Sequence, residues 1–139
     1  MSLYAGGMST LDHITLVISD YTRSKAFYEK ALAPLSIKCI LEFGQAAGFG
    51  KNGKPDFWIG TGPASFQRPE HLRLITPTHV AFAAASRAEV EAFYAAAIGA
   101  GGKDFGAPGV RAHYHPKYYG AFVLDPDGHD IEAVFHGGS

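Results

Sequence analysis

Shifted by 66 positions, the 139-residue chain lies on itself without gaps. His13 falls on His79, Ile14 on Val80 and Leu16 on Phe82; Ala26-Phe27-Tyr28 then meets Ala92-Phe93-Tyr94, and Ala31-Leu32 meets Ala97-Ile98. A repeat of this length restricts the fold to a pair of like units, since each copy is one supersecondary unit that needs a neighbour to bury its apolar face. A chain of 139 residues holds about one ordinary core, so the copies share it and do not stand as independent domains.

Each copy opens with alternation. Ile14, Leu16 and Ile18 take one face of a strand and His13, Thr15 and Val17 the other. A helix follows, capped by Asp20, with Phe27, Tyr28, Ala31 and Leu32 at helical spacing and Pro34 as its stop. In the second copy Ser86-Arg87-Ala88-Glu89 has capping-box spacing, Val90, Phe93, Tyr94, Ala97 and Ile98 form the buried stripe, and Gly99 is expected to supply a left-handed end. Glycine-bounded strands are predicted over 37–42, 45–49 and 56–59, and again over 121–124 and 130–135. The expected class is α+β: two tandem βαβββ modules, 8–62 and 78–139, forming a curved sheet cleft and joined by a connector over 63–77, where 72–75 could add a strand. The glycine- and histidine-rich stretch 99–120 is expected to be a loop over a site.

Composition limits the partners. With 12 Lys and Arg against 13 Asp and Glu, no basic field exists for nucleic acid or an anionic membrane surface. No stretch reaches the roughly 20 apolar residues of a membrane span. Cys39, the single cysteine, lies in an apolar run and is expected to be a buried free thiol in a reducing, cytoplasmic setting. Residues 1–7 look like an added leader ahead of a native start at Met8.

Period 2 also selects the polar residues of the cleft. With Ile14 and Leu16 against the first helix, His13 and Thr15 face the other way; with Val80 and Phe82 against the second, so do His79, Ala81 and Ala83. In the last strand Asp130, Glu132 and Val134 oppose the apolar set Ile131, Ala133 and Phe135. Two imidazoles and a carboxylate on one concave face suit a divalent metal with open positions, so His13, His79 and Glu132 are the candidate metal ligands. The bland reading is a polar cleft without metal. Trp58 or Phe57 favours an apolar or ring-bearing ligand, and only one of them can face the cleft. Lys117, Tyr118 and Tyr119 could orient a substrate oxygen, and His113-Tyr114-His115 could be an extra metal or acid–base element, although loop histidines are mostly solvated.

Asp12-His13-Ile14-Thr15, the paired Ala-Phe-Tyr helices, Thr78-His79-Val80 and the stretch Phe122-Val123-Leu124-Asp125-Pro126-Asp127-Gly128-His129-Asp130-Ile131-Glu132 resemble the vicinal-oxygen-chelate superfamily. The resemblance runs over nearly the whole chain from Met8, and the Asp-Pro-Asp-Gly turn followed by Glu is its most specific part. It implies tandem βαβββ modules, a homodimer, a small-molecule substrate, and a divalent metal ion (Fe, Mn, Zn or Ni) that chelates vicinal substrate oxygens. Glyoxalase I would place a second glutamate where Trp58 stands, and only a two-residue shift brings Asp56 to that face; a partner chain is the other source of a further ligand. Extradiol dioxygenases would use His13, His79 and Glu132 with His113 as acid–base group; their tyrosine position falls on Phe122, leaving Tyr118 or Tyr119 as substitutes. Fosfomycin-type transferases need a cation beyond the glutamate, and none follows Ala133. The expected function is thus a metal-dependent enzyme of lyase, isomerase or dioxygenase type, with Glu132, His113 and Tyr118 catalytic and Thr15, Trp58 and Tyr119 binding substrate. The alternative is a metal-free small-molecule binding protein of the bleomycin-resistance type.

Overall fold

The computed structural model describes residues 9–137. The expected leader over 1–7 and start at Met8 lie outside the described residues. Strand β1 (Ile14–Val17), helix α1 (Tyr21–Leu32), a 3-10 turn (Ala33–Leu35), and strands β2 (Lys38–Phe43), β3 (Ala46–Lys51) and β4 (Lys54–Gly60) make the first unit. After the short helix α2 (Pro69–Arg73) come β5 (His79–Ala83), α3 (Arg87–Gly99), β6 (Lys103–Val110), β7 (Tyr119–Leu124) and β8 (Asp130–Phe135). Each unit is βαβββ, and the two sheets have the same order, β1-β4-β3-β2 and β5-β8-β7-β6. The first strand of each copy runs parallel to its last strand, and the remaining pairs are antiparallel.

Local chemistry explains the helix ends. Asp20 accepts the Arg23 amide proton at 3.0 Å, and Ser86 Oγ accepts that of Glu89 at 3.1 Å. The reciprocal arm differs from the expected box: Glu89 takes the Ala85 amide proton at 2.9 Å, one residue before the cap. Gly99 is still helical, and the left-handed residue is Gly101 at φ +102°. Val90, Phe93 and Ala97 form the buried stripe of α3, whereas Ile98 sits on its exposed side.

Three further expectations change. Residues 72–75 add no strand; Pro69, whose ring pre-sets a helical φ, starts α2 instead. The stretch 99–120 is not one loop: β6 pairs with β7 through register shifts around Gly106, leaving a short turn after α3 and the loop at 111–118. Cys39 is half-buried: β2 is an edge strand, and only one of its faces meets the core.

The core lies between the helices and the sheets, where Phe27, Tyr28, Phe49, Phe57 and Phe93 are all but sealed from solvent. Phe57 meets Phe82 edge-on across the two units at 5.1 Å. A hydrogen-bonded joint adds to this. Asp125, buried in the β7–β8 turn, accepts the amide protons of Asp127 and His129 on Oδ1 and the Tyr28 phenol proton on Oδ2 at 2.5 Å. Asp127 accepts from the Ser19 amide at 3.1 Å. His129 Nδ1 accepts from the Thr78 amide at 2.9 Å, which places the ring proton on Nε2, and Nε2 donates to the Val17 carbonyl at 2.8 Å. The Asp-Pro-Asp-Gly-His run therefore binds the second unit to the first, besides turning the chain into β8. An open groove of about 1060 Å³ runs between β1 and β5, with Thr15, Asp56, His79 and Phe82 among its walls.

Candidate functional site

Register builds the site. Ala81, Glu132, Phe122 and Gly106 are direct neighbours across β5, β8, β7 and β6, so their side chains share the face turned away from α3. The corresponding row of the first sheet is Thr15, Trp58, Gly48 and Leu41, which sets Trp58 at the place of Glu132. A Cβ at Gly48 would come within 2.7 Å of the Trp58 indole, so the glycine lets the ring lie flat over β3. Phe43 stacks on it at 6.0 Å, making an aromatic platform whose outer ring is 65% exposed.

Glu132 is sealed from solvent although it stands on this face. Its Oε1 lies 2.9 Å from His79 Nε2, and its Oε2 accepts the Tyr118 phenol proton. Gly120 makes room for that contact: a Cβ there would sit 3.1 Å from Oε2 and equally close to the Tyr118 ring. Burial, and then the neighbouring carboxylate, push the Tyr118 phenol above its ordinary value, so it holds its proton toward Glu132. Asp130, paired in register with His79, has Oδ2 3.9 Å from His79 Nε2 and a buried Oδ1 with no hydrogen-bond partner. Burial raises the Asp130 carboxyl, Glu132 adds to the rise, and His79 opposes it.

The structure joins Glu132, His79 and Tyr118 and separates them from the other candidates. His13 is exposed just before β1, with Nδ1 2.7 Å from Asp12 Oδ1. Among the described residues no three His, Cys, Asp or Glu side chains converge as a metal site requires. Within one chain His13, just before β1 of the first unit, does not join His79 and Glu132 of the second. Thr15 lines the groove, and Asp56 enters it from β4 without joining Glu132. Tyr119 is not on the site face. Its hydroxyl donates to Glu91 of α3 at 2.6 Å, and Arg87 lies over its ring, because β7 begins at Tyr119 and period 2 sends it to the helix side with Ala121 and Val123. His113 stays in the exposed turn, 4.1 Å from the Tyr114 ring, which in turn lies 4.7 Å from Tyr118.

Arg111 has no counterpart among the residues singled out from the sequence, and His115 meets a partner that was not expected for it. His115 Nε2 lies 2.8 Å from His136 Nδ1, both rings packing against Tyr118. Arg111 places its guanidinium over Phe122. The glycines at 106 and 109 were the available signal for Arg111, though they read equally well as turns.

His79 Nε2 and Glu132 Oε1, 2.9 Å apart, are donors of the kind that a borderline divalent ion takes. They fit such an ion in donor type, with positions left for donors from outside this sheet.

No protein-family model matches the chain, and no curated protein matches it. Solved structures do. A glyoxalase/bleomycin resistance protein from Albidiferax ferrireducens T118 superposes with a TM-score of 0.76 at 28% identity, over 93% of this chain and all 100% of that one. A glyoxalase-related enzyme from Fulvimarina pelagi gives 0.65 at 21% identity over 92% and 88%, and a lactoylglutathione lyase from Agrobacterium tumefaciens gives 0.67 at 15% over 91% and 93%. Two βαβββ units with matching strand order, shared over nearly full length with these proteins, give this chain the glyoxalase/bleomycin-resistance/dioxygenase architecture, the fold of the vicinal-oxygen-chelate superfamily.

Proposed function

We propose that the chain is a metal-dependent enzyme acting on a small oxygenated substrate, in the lyase, isomerase or dioxygenase range of this fold, with His79 and Glu132 holding a divalent ion (Fe, Mn, Zn or Ni). The observation that carries this reading is the sealed Glu132 carboxylate 2.9 Å from a half-exposed imidazole. A carboxylate sealed from solvent is costly, and a bound cation relieves the cost. His13 belongs to this set if a second copy supplies it. The exposed Leu41 and Phe43 beside Trp58 support a homodimer in which the first sheet of one copy covers the second sheet of another. When bound, the ion would act as a Lewis acid toward a substrate oxygen. Tyr118 keeps a proton on Glu132 Oε2, which orients the carboxylate and leaves Oε1 to His79. Thr15 on the groove wall offers the substrate a hydroxyl, Trp58 in the same row of the first sheet offers an apolar surface, and His113 reaches the site through Tyr114. A free Cys39 fits a cytoplasmic setting, and no described helix is long and apolar enough to cross a membrane.

A metal-free binding protein is the second reading, favoured by the Phe43–Trp58 platform and by the incomplete triad in one chain. Metal content and affinity measured on the chain, Glu132→Gln and Trp58→Ala separate the two. The enzyme reading expects Glu132→Gln to lower affinity by more than the roughly 10–100-fold of losing an outer partner, with Trp58→Ala unchanged. Indifference of metal content and thermal stability to Glu132→Gln, with ligand binding lost only in Trp58→Ala, overturns it.

A further inference from the structure

The site face carries a cation that the ion chemistry does not use. Arg111 follows β6 and folds back over that strand, with Nη2 donating to the Ala107 carbonyl at 2.8 Å and Cζ 5.3 Å from the Phe122 ring centroid. Its seat is cut into the backbone. A Cβ at Gly106 would stand 3.1 Å from Nη2, one at Gly109 would stand 3.0 Å from Nη1, and β6 shifts register on both sides of Gly106, itself at φ +155°. A side chain at either position would push the guanidinium off the sheet. Among the described residues no carboxylate forms an ion pair with Arg111, and a guanidinium has five N–H donors, of which a single carbonyl occupies one direction. Phe122 is the register neighbour of Glu132, and the His79 ring lies 6.3 Å from the Phe122 ring, so the uncommitted fork stands one strand from the His79–Glu132 pair on the same face.

We propose that Arg111 is the seat for the carboxylate of a small oxygen-bearing ligand, held over Phe122 while Tyr118, His79 and Glu132 face the rest of the molecule. The inference rests on reading this face as a small-molecule site and is independent of the ion. A planar fork matches a planar carboxylate in two parallel bonds. A tetrahedral dianion would bring a second negative charge toward Glu132 and Asp130 with no second cation to meet it. Each arm has a simple probe.

The test is a titration of the chain without added metal, followed by NMR at the backbone amides of Gly106 and Phe122 in every protein and, in the parent, also at the Arg111 side-chain N–H. The probes are pyruvate, its methyl ester and inorganic phosphate. Pyruvate should give a saturable shift. The neutral ester should bind at least about tenfold more weakly, as should pyruvate to Arg111→Met, in line with the loss of a charge-assisted bond. Arg111→Lys, which keeps the charge without the fork, should fall between parent and Arg111→Met. Metal affinity measured separately on the same chain reports on the ion alone, and pyruvate should still bind chelator-treated protein, so failure of the metal reading and failure of the carboxylate seat give different results. The proposal is overturned by no saturable shift with pyruvate, by equal binding of ester and acid, by phosphate binding as tightly as pyruvate, or by Arg111→Met binding pyruvate like the parent.

Discussion

Tyr28 and Tyr118 each give a phenol proton to a carboxylate, one in the core between the two units and one on the site face. Burial and the adjacent anion push both phenols upward, Tyr28 well above its ordinary value of 10.0. Deprotonation is thus disfavoured in the folded chain and free in the unfolded one. A group shifted in this direction contributes stability that is fully present below the unfolded value and is lost as pH rises through the folded one. Urea unfolding followed across the alkaline range should show stability falling once pH exceeds about 10. Tyr28→Phe, which cannot ionise and lacks the bond to Asp125, should start lower and fall less steeply; equal slopes would refute the role of Tyr28. Tyr21, Tyr94 and Tyr119, also raised, contribute a slope common to both proteins.

Strand β7 does two jobs by alternation: Ala121 and Val123 enter the core, while Gly120 and Phe122 face the site. Gly120→Ala should keep the fold and open the Tyr118–Glu132 contact, since its methyl would stand 3.1 Å from Oε2. The check is a spectroscopic titration, in which one phenol should ionise closer to its ordinary range than in the parent; an unchanged titration would count against the contact. The same alternation makes His79, Glu132 and the opposition of Trp58 to Glu132 legible in the sequence, because those strands are regular and the repeat phases them. It cannot decide between Tyr118 and Tyr119. That choice depends on where β7 begins, and nothing in Lys117-Tyr118-Tyr119-Gly120 marks the first paired residue. β6 is hidden for a related reason: Gly106, Pro108 and Gly109 break the alternation that identifies a strand, and the same irregularity seats Arg111. The separation of His13 from His79 and Glu132 within one chain is of another kind. Face and period can be read from a sequence, but which sheets face each other is settled by packing between units.

At the scale of the molecule, the joint formed by Asp125, Asp127 and His129 makes the two units depend on each other. His129→Ala would leave the Val17 carbonyl and the Thr78 amide without partners inside the protein, a loss of about 2–4 kcal/mol. Urea denaturation should show this as a lower midpoint with one transition retained when fluorescence and circular dichroism are compared; two separated transitions would mean that the units unfold alone. The joint is also one-sided. The second copy brings three specific side chains to it, whereas the first brings the Val17 carbonyl, the Ser19 amide and a single phenol. Backbone groups are present whatever residues occupy those positions. The joint thus makes unequal demands on a swap: a foreign first unit fills it with the same strand end and a tyrosine on its helix, leaving only core partners such as Phe57 to be matched, while a foreign second unit must bring the whole Asp-Pro-Asp-Gly-His plug with it.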